Sequence, residues 1–184
     1  MSSIFGIEAR PDAIVNVERF TRQWEKHAGQ CTGQTARLAL IDKDDIKDIL
    51  DGYTPEAGGL AYEIMLNIVR RQLLQGLNVI CDSPLTFSTT YKTARSIAEE
   101  TQASLAIIEC YCSDEQVWSQ RINARKQLHL PAHHQTDWTQ FQSFRAKITS
   151  EIHYPISDPH ITVDTARPLD EIVTETARWL GYEQ

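Results

Sequence analysis

"LALIDKDDIKDIL", residues 38–50, runs from a short apolar stretch straight into Asp42-Lys43-Asp44-Asp45. Three carboxylates within four residues repel one another, so this placement adds nothing to stability by itself. One reading is a buried strand followed by a solvated loop and a helix, with Asp44 or Asp45 capping it and the charges complementing its dipole. The other is a strand whose carboxyl end presents acids for chemistry. The rest of the chain bears on the choice.

Four further segments share the strand's character: "SIFGIEA" (3–9), "LNVICD" (77–82), "SLAIIEC" (104–110) and "HITVD" (160–164), beside "RLALID" (37–42) itself. All are nearly continuous in apolar residues rather than alternating, the pattern of strands buried on both faces. Helical patterns lie between them. "AIVNVERFTRQWEKHAG" (13–29) places Ile14, Val17, Phe20 and Trp24 on one stripe, and "GLAYEIMLNIVRRQLLQG" (59–76) repeats Leu60, Ile64 and Ile68; both close on a glycine. Residues 91–102, 113–127, 137–151 and 168–181 complete the set, and Ser113 with Gln116 forms a capping-box pattern. Strands alternating with helices predict an α/β fold: one three-layer domain over 1–184 with a mostly parallel sheet of about five strands, residues 3–9 on an inner strand.

At 184 residues the chain has room for one good core, and its composition, 41% hydrophobic and 23% charged, is ordinary for a globular protein. A net charge of −7 argues against a nonspecific grip on nucleic acid or anionic membrane. No apolar run approaches the ~20 residues needed to cross a bilayer, and no signal-peptide pattern opens the chain. The four cysteines lack zinc or disulfide spacing, and Cys81 and Cys110 sit in strands as small hydrophobes. The expectation is a reduced, cytosolic protein; oligomeric state is left open. His129, His133 and His134 cluster around Pro131, which disfavours the regular helix a metal site would need there.

Ligands of parallel sheets bind at the carboxyl ends of the strands. Two strands here end in acids, "LALID" before Lys43-Asp44-Asp45 and "NVICD" before Ser83-Pro84, which favours a site over simple caps. With "IIECYCSDEQVWSQRINAR" and "VDTARPLDEIV" following in order, residues 38 to about 180 resemble the small P-loop kinases of the AAA-like phosphotransferase group. Relatives of that group include chloramphenicol phosphotransferase, zeta toxin and the kinase domain of polynucleotide kinase. The resemblance implies a P-loop NTPase-like fold, ATP and Mg2+ as cofactors, and a small-molecule hydroxyl acceptor, with nucleic acid the least expected partner. It places the general base at Asp44, substrate contacts at Asp45, Lys47 and Ser83, and a Walker-B-like acid at Asp82. Positions 44 and 47 share a helical face. For Asp82 the alternative is an Asx turn into Pro84. Arg121 and Arg125 fall where arginines of a lid, about 121–137, close over nucleotide phosphates; their alternative is a solvated face paired with Asp114 or Glu115. The loop carrying Thr165 falls against adenine, while Asp164 and Asp170 read equally as turn and helix-start acids.

The element that defines the group, a strand followed by G-x-x-x-x-G-K-[ST], is not in the sequence. "GIEARPDA" (6–13) has the right context but retains only Gly6, with Pro11, Asp12 and Ala13 at the second Gly, Lys and Thr positions. "AGQCTGQT" (28–35) is closer in letters but leaves no room for a helix before the next strand. The expectation is therefore a kinase-like protein with a degenerate phosphate loop. It is a pseudokinase or regulatory binder, a kinase holding phosphates by other groups, or an enzyme altered at its N-terminus.

Overall fold

The structure is a computed structural model, and it describes residues 3–9, 38–85, 87–128, 136–148 and 154–181. Strands β1 (Ser3–Ala9), β2 (Leu38–Asp42), β3 (Asn78–Ser83), β4 (Ser104–Tyr111) and β5 (His160–Asp164) form one sheet in the order β2-β3-β1-β4-β5. Every pairing is parallel. Residues 3–9 supply the central strand, as the sequence predicts, and the other four strands match their expected bounds to within a residue. Helices α1 (Lys43–Leu50), α2 (Ala57–Leu74), α3 (Ser88–Thr101), α4 (Glu115–Leu128), α5 (Trp138–Ile148) and α6 (Leu169–Trp179) follow in chain order. The helix expected over 13–29 lies outside the described residues.

Because side chains of a strand alternate between faces, β3 and β4 each feed two cores. Val79, Cys81, Leu105 and Ile107 point to one side, where Met65, Val69 and Leu73 of α2 and Tyr91, Ala94 and Ile97 of α3 cover them. Ile80, Ala106, Ile108, Cys110 and Val163 point to the other, against Ile172, Val173 and Ala177 of α6. The result is the three-layer sandwich. Both sheet cysteines are packing residues, and burial, then Asp82, pushes the Cys81 thiol up to about 12.

The packing corrects one detail of α2. Leu60, Ile64 and Ile68 are each more than a third exposed, whereas Ala57, Ala61, Met65, Val69 and Leu73 are buried. Both sets repeat every four residues, so periodicity alone does not choose between them. The alanines decide it, because they let α2 approach its neighbours closely. Gly76, at φ +77°, then ends the helix in a conformation that side chains disfavour, its amide donating to Leu73 O at 2.8 Å.

A third, separate cluster joins α4 and α5. Trp118 and Ile122 of α4 pack on Phe141 of α5, with Trp138 edge-on to Trp118 at 5.4 Å between ring centres. Asp137 caps α5 by accepting from the Gln140 amide at 2.9 Å, and Gln140 Oε1 accepts from the Asp137 amide in return. At α4 the cap is Asp114, accepting from Gln116 and Val117 amides, rather than the Ser113 that the pattern suggests.

Adjacent residues of α2 test this assignment of faces. Met65→Ala is expected to lower unfolding free energy by about 2–5 kcal/mol, and Ile64→Ala by about 1 kcal/mol or less. Urea denaturation with an unchanged m-value reads both.

Candidate functional site

β2 and β3 pair so that Asp42 stands in register with Asp82, and Ile7 of β1 flanks Asp82 on the other side. In-register neighbours on parallel strands lie roughly 5 Å apart, so the two acid-bearing strand ends are brought together at one edge. Asp82 and Ser83 are buried there.

Asp42, not Asp44 or Asp45, caps α1: its Oδ1 accepts from the Asp44 amide at 2.7 Å. The Asp44 side chain pairs instead with Lys43. Asp45 is exposed on the same helix turn. Lys47, expected to face the cleft with Asp44, instead donates to Asp51 Oδ2 at 2.5 Å along the helix surface.

Two residues that the sequence reading passed over stand beside these acids. Lys43 is buried at 8% exposure, ion-paired with Asp44, its ammonium 5.4 Å from the centre of the Tyr62 ring. Tyr62, on α2, donates its hydroxyl to the Pro84 carbonyl just beyond Asp82. Burial foremost, then the neighbouring Asp44, Tyr154 and Asp82, push the Tyr62 hydroxyl far above the ordinary phenol range. Tyr154 holds the same loop from the opposite side, donating to Leu85 O at 2.5 Å while packing on Tyr91. The signal for Lys43 was present in the sequence, since a cation in a helix's first turn opposes the dipole and calls for a local partner.

The nucleotide-side residues are placed differently. Gly6 lies inside β1, paired with Cys81 and Ile107 three residues before the strand ends, rather than in the turn that follows. The remainder of "GIEARPDA" beyond Ala9, all of "AGQCTGQT" and the three histidines lie outside the described residues. Arg125 stands on α4, its side chain likewise outside them. Arg121 turns to the β5–α6 connection, where Nη1 donates to the Thr165 carbonyl at 2.8 Å. Thr165 is itself buried, its amide and hydroxyl both donating to Tyr111 O. Asp164 ties the two loops further, accepting from the Ser113 amide at 3.0 Å, the Ser113 hydroxyl and the Ala166 amide. Asp164 is therefore a turn residue bracing the carboxyl ends of β4 and β5.

No protein-family model and no curated protein matches the chain. Solved structures do match across nearly its whole length. Kti12 from Chaetomium thermophilum, in complex with ADP-AlF3, aligns with a TM-score of 0.66 at 13% identity, over 95% of this chain and 97% of that one. The APS kinase CysC of Mycobacterium tuberculosis, in complex with AMPPNP and APS, aligns at 0.63 and 12% identity, over 98% of both chains. A gluconokinase from Sinorhizobium meliloti 1021 aligns at 0.57 and 16% identity, over 98% of this chain and 91% of that one. The chain has a P-loop kinase fold. Among the described residues, no helix is long and apolar enough to cross a membrane.

The Asp164 brace has a pH signature. Burial, the largest influence, raises its carboxyl, but the Ser113 hydroxyl, the Ala166 and Ser113 amides and Arg167 together outweigh it and hold the group below the usual carboxylate value. A depressed folded-state value contributes stability that is present above the unfolded value, about 3.9, and lost as pH falls through the folded one. Asp164→Asn is expected to melt below the wild type at pH 7. The gap should close as calorimetric scans move from about pH 5 to about pH 3.

Proposed function

We propose that this chain is a small-molecule kinase-like protein that retains the acceptor half of a phosphotransferase site and carries a degenerate phosphate-binding loop. The observation that supports this most directly is the contact chain at the carboxyl edge of β2 and β3: Lys43, paired with Asp44, lies over the Tyr62 ring, whose hydroxyl donates to Pro84 O, two residues past Asp82, in a P-loop kinase fold.

In this reading Asp44 accepts the proton of a bound hydroxyl as it attacks phosphorus. Such a base works by position, because phosphoryl transfer draws most of its acceleration from alignment and charge stabilisation. Magnesium in these sites takes one or two carboxylates plus phosphate oxygens, and Asp82 is the hard oxygen donor suited to it. When bound, Mg-ATP would supply the transferred phosphoryl group and the charge neutralisation around it. Ser83, buried beside Asp82, lies on the acceptor side.

The nucleotide fits less well. The motif lysine is absent from the sequence, and under the "GIEARPDA" alignment a carboxylate, Asp12, takes its place. Among the described residues the cations near the strand ends are engaged, Lys43 with Asp44, Lys47 with Asp51 and Arg121 with Thr165 O. Losing one charge-assisted hydrogen bond to phosphate costs about 1.5–3 kcal/mol, roughly 10- to 150-fold in affinity. This favours a second reading, a binding or regulatory protein that no longer turns over ATP. Gluconokinase and APS kinase among the structural neighbours suggest a small-molecule acceptor for either reading.

Calorimetric titration separates them. Mg-ATP is expected to give weak or absent heat with the protein as written and clear binding once a G-x-x-x-x-G-K-T loop is grafted in. In any form that transfers phosphate, Asp44→Asn is expected to lower turnover by about 10²-fold or more, as loss of a general base does. Unchanged turnover would return Asp44 to a structural role. Micromolar binding by the unmodified chain would show another phosphate grip.

A further inference from the structure

Lys43 occupies a place that local forces do not favour. It is the first residue of α1, where the helix dipole repels a cation, and lysine is almost never buried unless it is paired. Here it is 8% exposed. Its ammonium pairs with the Asp44 carboxylate and lies over the Tyr62 ring at 5.4 Å, within the range at which a ring face attracts a cation. Tyr62 in turn donates to Pro84 O, two residues past Asp82. The contacts form one chain, Asp44–Lys43–Tyr62–Pro84, running from the helix that bears the proposed base to the loop that follows the second acid. A lysine serving solubility would extend to solvent, as Lys47 does in pairing with Asp51 on the helix surface.

We infer that Lys43 is a positioning residue: it fixes the carboxylate of Asp44 in the cleft and, through Tyr62, sets its distance from the Asp82 loop. The inference rests on the kinase reading for its catalytic consequence but not for the contact itself. Positioning differs from acceptor binding in its kinetic signature, because it changes the reacting geometry and not the affinity of the ground state. It differs from a simple structural role in being restored by a second cation of similar reach.

The test uses the full-length protein with two readouts. In the first, phosphate transfer from Mg-ATP to a panel of neutral polyols is measured for the wild type, Lys43→Met and Lys43→Arg, well below each melting temperature. Lys43→Met is expected to lower kcat by about 10- to 100-fold with acceptor KM held within about twofold, and Lys43→Arg to recover most of the loss. An unchanged kcat, or a rise in KM alone, would overturn the inference. In the second, the Lys43 ammonium is observed directly by proton–nitrogen NMR. Its pairing is expected to slow proton exchange enough to give a resolved side-chain signal, absent from Lys43→Met and lost in Asp44→Asn. If the wild type transfers no phosphate, as the binding or regulatory reading expects, the NMR readout decides the contact by itself. A signal that disappears in Asp44→Asn supports the pair; no signal in the wild type, or one that survives Asp44→Asn, refutes it.

Discussion

Parallel strands pair by slanted, evenly spaced hydrogen bonds, and the register of β2 on β3 places Asp42 opposite Asp82. The candidate site depends on that register. A slip of one residue would turn every β2 side chain to the other face, moving the cap residue of α1 away and taking Lys43 and Asp44 with it. The register is held by burial, since Val79 and Cys81 face α2 and α3 while Ile80 faces the opposite core. The hydrophobic sheet thus fixes the position of charges that would repel if nothing else held them.

The two halves of the carboxyl edge are built from different materials. At β2 and β3, the buried Asp82, Ser83 and Lys43 stand with the half-buried Asp44 and Tyr62, and the Tyr62 and Tyr154 hydroxyls both donate to the loop after β3. At β4 and β5, hydrogen bonds among Asp164, Ser113, Thr165 and Tyr111 brace two loops, and Arg121 is drawn into that brace. Buried charge without full solvation is costly to stability and is usually kept where chemistry requires it. The β2–β3 half carries that cost at Asp82 and Lys43, and the β4–β5 half carries it at Glu109, beside His160.

The strands were legible because strands buried on both faces are apolar throughout, and five such runs separated by helical patterns admit few arrangements. The alternation also made the strand-end acids readable as a pair. Finer detail was hidden where two physical explanations share one pattern. In α2 the stripes 60-64-68 and 57-61-65-69-73 have the same spacing, and only close packing of Ala57 and Ala61 separates them. In "DKDD" the cap was expected at Asp44 or Asp45, and the backbone chose Asp42. Lys43 read as one more solvated charge because its partner across the cleft, Tyr62, is 19 residues away in the sequence, on another helix. Arg121 was assigned to phosphate by resemblance, and no local pattern announces a bond to a carbonyl 44 residues distant.

The central claim is that Asp44 and Asp82 belong to one electrostatic network at the carboxyl edge of β2 and β3. A double-mutant cycle on unfolding free energy tests it without reference to activity, using Asp44→Asn, Asp82→Asn and the double variant at neutral pH. Groups in one electrostatic network fail to add by about 0.5 kcal/mol or more, whereas sites more than about 7–10 Å apart add to within roughly 0.3–0.5 kcal/mol. The account predicts clear non-additivity between these two positions, with Asp48→Asn and Asp82→Asn adding as an independent pair. Additive effects at Asp44 and Asp82 would contradict it.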